Sequence, residues 1–102
     1  MSIVKDILKD EKERILELIS RNEKLMEDLP KGSISKKKRG SNLFCYLAYR
    51  EGSNVKFKYL GKEKSIIVSE FREKIEKRKK IKQRIKELQK NLQEINRGLG
   101  EK

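Results

Sequence analysis

The sequence predicts an α+β fold: two long helices forming an antiparallel coiled-coil hairpin, with a three-stranded antiparallel β-meander inserted between them. Three observations carry this reading. Two stretches with helical hydrophobic spacing flank the chain, and their polar seam positions match when the chain doubles back. Between them the periodicity drops from 3.6 to 2, in a segment bounded by Gly, Ser and Asn. Hydrophobic residues make up only 34% of the chain and charged residues 43%, which suits narrow helix seams better than a broad core.

The first helix is expected over residues 2–29, with Ser2 as its N-cap and Pro30 as its stop. Val4, Leu8, Ile15, Leu18, Leu25 and Leu29 form a heptad a/d seam, interrupted by Glu11 and Asn22. Ile7, Ile19 and Met26 widen the stripe on one flank.

The basic insert follows at residues 31–64. Ser33 to Arg39, Leu43 to Arg50 and Val55 to Gly61 read as three strands joined at Gly40-Ser41-Asn42 and at Glu51-Gly52-Ser53-Asn54. It holds five of the six aromatic residues; only Phe71 lies outside. With the second turn built on Gly52-Ser53, one sheet face carries Ile34, Cys45, Leu47, Tyr49 and Leu60 beside Lys36, Lys38, Lys56 and Lys58. The other carries Phe44, Tyr46, Ala48, Val55, Phe57 and Tyr59 beside Lys37, Arg39 and Arg50. Which face meets solvent is left open by the alternation.

The second helix is expected over residues 65–97, with Gly98 and Gly100 as stop signals and residues 98–102 as a tail. Its seam is Phe71, Ile75, Arg78, Ile81 or Lys82, Ile85, Leu88, Leu92 and Ile95. At ~1.5 Å per residue the two helices are roughly 40 and 50 Å long. In an antiparallel pair, Leu29 faces Phe71, Leu25 faces Ile75, Ile15 faces Ile85 and Leu8 faces Leu92, while Asn22 meets Arg78. A two-helix seam is thin. Ile7, Ile19, Met26, Ile67 and Val68 therefore suggest an edge through which a homodimer forms.

Length leaves room for one domain. The formal net charge is +12 and the pI about 9.9, which speaks to partners and solubility and not to fold. Residues 1–30 carry a net −2, residues 31–64 a net +8 and residues 65–102 a net +6, so the charge is concentrated in the middle of the chain. No stretch approaches ~18 consecutive apolar residues, so no membrane span is expected. The start of the chain has no apolar core of the signal-peptide kind, and a cytoplasmic location is expected.

One cysteine and no histidine leave nothing for an internal disulfide or a zinc site, so no cofactor or metal is expected. Cys45 is expected as a buried structural thiol. There is no phosphate-binding glycine loop and no nucleophile–base pair, so the protein is read as non-enzymatic.

The chemistry that remains is anion binding. A basic sheet can lie in a DNA groove ~12 Å wide or along an RNA backbone. In that reading Lys36, Lys37, Lys38, Arg39, Arg50, Lys56 and Lys58 meet phosphate or base edges, and Tyr46 and Tyr59 stack on bases. The aromatic residues have a plainer use as the core of the sheet, and that use is the one expected for them. Seven of the ten residues from Lys77 to Lys86 are also basic, with no acid among them. Lys77, Lys79, Lys80 and Arg84 would extend the phosphate track, while part of the cluster pairs with Glu17 and Glu23.

The string Leu29-Pro30-Lys31-Gly32-Ser33-Ile34, with Tyr46-Leu47-Ala48-Tyr49-Arg50-Glu51-Gly52, Val55-Lys56 and Lys58-Tyr59-Leu60-Gly61-Lys62, resembles an uncharacterised family of short bacterial and mobile-element proteins. That resemblance spans residues 29–64 and extends loosely to both helices, and it implies the meander between two charged helices. Some members carry cysteines in the first loop. Arg39-Gly40-Ser41-Asn42 stands there in this chain, so no metal is implied. More distantly, the Gly-Ser-Ile start, central aromatic strand and Lys-rich strand ending in Leu-Gly are similar to the arm-binding domain of phage tyrosine recombinases. In those domains a three-stranded sheet reads the DNA major groove. The long first helix departs from that pattern.

The function expected is that of a nucleic-acid-binding accessory protein of a mobile element or bacterial host. The alternative is a phage-encoded inhibitor of the anti-CRISPR type that docks on a nucleoprotein complex.

Overall fold

The structure, a computed structural model, describes residues 2–100. Element order is α1 (Ile3–Glu27), β1 (Ser33–Arg39), β2 (Asn42–Glu51), β3 (Asn54–Lys62) and α2 (Ile66–Gly98). This is the expected α+β arrangement of two helices with a three-stranded antiparallel sheet between them in sequence. The fold divides into two compact units. One holds the chain up to Asp28 with the stretch from Lys80 onward; the other is Leu29–Lys79.

In the first unit, α1 and the later turns of α2 share an apolar seam. Leu8 Cδ1 lies 3.0 Å from where a Cβ on Gly98 would stand, so the start of α1 meets the end of α2 and the two run antiparallel. Buried positions on α2 are Ile81, Ile85 and Ile95, with Leu88 and Leu92 half-buried, which resolves the Ile81-or-Lys82 ambiguity in favour of Ile81. On α1, Ile15, Ile19 and Asn22 are buried. Val4 and Leu25 are 65% and 55% exposed. The α1 stripe is thus turned toward the flank on which Ile19 and Met26 lie. Helical drift explains this, because an untwisted 3.6-residue helix slips about 20° per heptad away from a strict a/d line.

Several expectations about the helices are corrected. Ser2 adopts extended φ/ψ but makes no side-chain cap; its carbonyl accepts from the Asp6 amide at 3.1 Å. Leu8 reaches Gly98, further along α2 than Leu92. Ile75 and Phe71, expected in the helix seam, pack with the sheet, which claims the first turns of α2. Buried Asn22 donates from Nδ2 to the Leu18 carbonyl at 2.8 Å, one turn back on its own helix. Glu17 pairs with Arg21 at 2.8 Å, also within α1.

The residues expected to form one exposed dimer edge do not all do so. Ile19 and Val68 are buried inside the chain, Met26 is half-buried, and Ile7 and Ile67 stand well exposed.

In the second unit the sheet order is β1-β2-β3, with antiparallel pairing throughout. Arg39 pairs with Asn42 and Glu51 with Asn54, so both turns have two residues, Gly40-Ser41 and Gly52-Ser53. Gly52 takes φ +63°, which a first turn position of this length requires and glycine supplies without steric cost. Gly32 has a different reason for being glycine. A Cβ there would sit 2.1 Å from the Ala48 carbonyl oxygen, so the chain enters β1 by close backbone approach to β2.

One face of the sheet is covered by α2. Cys45, Leu47, Leu60, Val68 and Ile75 form its buried core, with Ile34, Tyr49 and Phe71 packed around them. Val68, Phe71 and Ile75 recur at the 3–4 residue spacing that keeps one helix face turned to the sheet. Cys45 is fully buried, as expected of a structural thiol, with the Arg72 guanidinium 3.9 Å from its sulfur. Ser65 caps α2: its Oγ accepts the Val68 amide at 3.4 Å.

Candidate nucleic-acid interface

Because α2 covers the face of Ile34, Cys45 and Leu47, the opposite face is open. Strand alternation then sorts the basic run residue by residue. Lys36 opposes Cys45 and Lys38 opposes Leu43, so both lie on the helix side; Lys37 opposes Phe44 and shares the open face with Arg39. On β3, Lys56 opposes Tyr49 and Lys58 opposes Leu47, again on the helix side.

The helix-side cations are largely engaged. Lys36 Nζ lies 2.7 Å from Glu63 Oε1, and Arg72 is 3.9 Å from the same oxygen. The hydrogen bond from Lys36, with the charges of Lys36, Arg72 and Lys64, holds the Glu63 carboxyl below its ordinary range against a partial desolvation. Lys56 pairs with Glu51 at 2.9 Å, and Lys58 sits over the Phe71 ring at 5.9 Å.

The open face is different. Tyr46 opposes Tyr59 and Ala48 opposes Phe57. The rings of Phe44, Tyr46 and Tyr59 form a cluster at its centre: Tyr46 and Tyr59 are 5.3 Å apart at 60°, Phe44 and Tyr59 6.3 Å apart at 47°. Phe57 and Tyr59 are each 54% exposed. The expectation that these aromatics form the sheet core is overturned for all but Tyr49, because α2 packs on the other side. Lys37 Nζ lies 5.2 Å from the Tyr46 centroid and 5.4 Å from that of Phe57. Among the described residues no carboxylate pairs with Lys37, Arg39 or Arg50.

A register shift between Cys45 and Tyr46 adds a further cation. Cys45 pairs with Gly61 while Tyr46 pairs with Tyr59, so Leu60 is the extra residue of a bulge. Beyond it the alternation of β3 is reversed, and Lys62 comes opposite Phe44 on the open face. Strict alternation places Lys62 on the other side, and no residue pattern short of the bulge itself reveals the switch. Phe44 and Phe57 carried a visible signal, since they share parity with Tyr46 and Tyr59.

Of the thirteen residues singled out from sequence, the open face therefore gathers Lys37, Arg39, Tyr46, Arg50 and Tyr59. Lys36, Lys38, Lys56 and Lys58 are directed to the opposite side. Lys77 and Lys79 are exposed on the part of α2 within the sheet unit, and Lys79 lines a groove beside β1 with Ile34, Lys36, Arg72, Glu73 and Glu76. That groove carries both signs of charge. Lys80 and Arg84 are exposed on the helix-hairpin stretch of α2.

Among the described residues no three His, Cys, Asp or Glu side chains are placed to hold a metal ion. No described helix is long and apolar enough to cross a membrane. The model of a family described as a domain of unknown function, DUF6788, matches residues 6–73, more than half of the chain, and the chain belongs to that family. That agrees with the resemblance to an uncharacterised family and gives no link to recombinase arm-binding domains. No curated protein and no solved structure matches the chain.

Proposed function

We propose that this member of the DUF6788 family is a nucleic-acid-binding accessory protein, without catalytic activity, of a bacterial host or a mobile element. The open face of its sheet is the binding surface. One observation carries the reading: Lys37, Arg39, Arg50 and Lys62 share a face with exposed aromatic rings and, among the described residues, with no acidic side chain. Cations kept from internal ion pairs hold their charge for an external anion. The helix-side lysines show the contrast, since Lys36 and Lys56 meet Glu63 and Glu51. Lys and Arg neutralise backbone phosphate, and the counterions released supply most of the affinity.

The overall charge of +12 adds long-range attraction to the same kind of partner. Lys77, Lys79, Lys80 and Arg84 contribute to that field without being required at the binding surface.

The test is the ultraviolet absorbance ratio of the purified protein before and after a high-salt wash, followed by rebinding of a labelled oligonucleotide. Nucleic acid that leaves with salt and rebinds on dilution is the expected result. Protein that carries no nucleic acid and binds no oligonucleotide at low salt overturns the proposal. A single stoichiometric protein partner that survives nuclease treatment replaces it with docking on a nucleoprotein complex.

A further inference from the structure

The open face has a chemistry more specific than positive charge. Its middle is flat-ringed, with the Lys37 ammonium over two of the rings, and further cations stand at its ends. Phe57 offers water no hydrogen bond yet stands 54% exposed, as does Tyr59. The ring pairs are tilted at 47° and 60°, so the rings do not consume one another's faces by parallel stacking. Lys37, Arg39 and Lys62 lie toward the β1–β2 turn, and Arg50 lies toward the β2–β3 turn.

We infer that this face takes an unpaired strand of nucleic acid, with bases stacked on Tyr46, Phe57 and Tyr59 and phosphates met by Lys37, Arg39, Arg50 and Lys62. The inference rests on the nucleic-acid reading above and narrows it to single strands over duplex. The floor of a duplex groove presents hydrogen-bond donors and acceptors. Pressed against this aromatic face, those groups lose water and gain few partners, which is costly. The π-face of an unpaired base has the opposite character and stacks on any ring regardless of sequence.

The dimensions agree. From Phe44 to Arg50 the strand advances roughly 20 Å at ~3.3 Å per residue, a platform of the size on which sheet-based RNA-binding modules stack about two or three bases. Lys37 is placed to serve both elements of such a ligand. Its ammonium rests over Tyr46 and Phe57 in the free protein, and it can swing to a phosphate when a base takes the ring. A second copy of the chain is a poor occupant, since like cations would face one another with no carboxylate on either side.

The decisive experiment measures binding of labelled single-stranded DNA, single-stranded RNA of the same sequence and the matching DNA duplex, with poly-glutamate as an acidic control. Wild type is compared with Tyr46→Leu, Tyr59→Leu and Tyr59→Phe. Either single strand is expected to bind at least about tenfold more tightly than duplex, and each Leu variant to lose roughly fivefold or more on the single strand, given the usual worth of one stacked base. Tyr59→Phe, which keeps the ring, is expected to bind like wild type. Binding should also quench tyrosine emission, which is readable because the chain has three tyrosines and no tryptophan. A preference between the two single strands assigns the sugar.

Duplex binding as tight as single-strand binding, with the Leu variants indifferent and emission unchanged, overturns this inference and leaves the nucleic-acid reading standing. Poly-glutamate binding as tight as the single strand overturns it in favour of an acidic protein. Absence of binding to every oligonucleotide overturns both readings. Because Tyr59→Phe and the emission change need no ring-deleted protein, poor folding of a Leu variant does not shelter the inference.

Discussion

Lys37 Nζ lies 5.2 Å above the ring of Tyr46, while its neighbour Lys36 reaches through the other side of the sheet to Glu63 at 2.7 Å. Adjacent lysines thus have different tasks. A four-residue basic run that reads as one patch in sequence is divided by the strand into an outward pair, Lys37 and Arg39, and a helix-side pair, Lys36 and Lys38.

That division gives the first prediction. Lys37→Ala with Arg39→Ala should weaken oligonucleotide binding and flatten its salt dependence, by about 0.7 for each phosphate of a single strand that is no longer neutralised. Lys36→Ala with Lys38→Ala should change both much less, although it removes the same formal charge. Titration of both double variants at several salt concentrations decides this. Equal losses from the two pairs would mean that only total charge matters.

Glu63 makes a pH-dependent contribution. Its carboxyl is held below the ordinary glutamate value of 4.5, first by the hydrogen bond from Lys36 and then by nearby positive charge. A carboxyl depressed in the folded state stabilises the fold fully above its unfolded value and loses that contribution as pH falls through the folded one. Wild type should therefore melt above Glu63→Gln at neutral pH. The gap should close in acid, below the ordinary glutamate range. Thermal denaturation of both proteins from neutral pH downward checks it, and a gap that grows in acid contradicts the assignment.

Gly32 sets the entry to β1. Any side chain there takes φ +114° and drives a Cβ to 2.1 Å from the Ala48 carbonyl oxygen. The backbone strain alone is about 1–3 kcal/mol, so Gly32→Ala should cost at least about 2 kcal/mol in urea unfolding. The same substitution at Gly40 meets open space and should cost less, about the strain of its turn conformation.

The turn of the α1 stripe away from a strict heptad is also measurable. Ile19 is 8% exposed and Leu25 is 55% exposed. Ile19→Ala should destabilise by about 2–5 kcal/mol and Leu25→Ala by no more than about 0.5 kcal/mol. The reverse order would restore the a/d seam that the heptad pattern suggests.

Much of this was legible in the sequence, for identifiable reasons. The Gly-Ser turns fix strand parity, and parity alone places Cys45 with Leu47 and Tyr46 with Phe57. Ile81, Ile85, Leu88, Leu92 and Ile95 keep their spacing through the later turns of α2 and are all at least half-buried. What escaped depends on competition between elements. Ile75 and Phe71 fit a helix seam and a sheet cover equally well by spacing, and the apolar area around Cys45 and Leu60 decides between them. The openness of the aromatic face follows from that decision and not from the aromatics themselves. Lys62 escaped because one bulged residue reverses a strand's alternation, and Leu60-Gly61 gives little local notice of it.

The central claim is that the cations of the open sheet face bind the phosphates of nucleic acid, and the logarithmic dependence of affinity on salt tests it most directly. Four engaged phosphates predict a slope of about −3 on a single strand, and steeper if the α2 cluster also engages the backbone. Affinity that stays unchanged as salt rises would contradict the account.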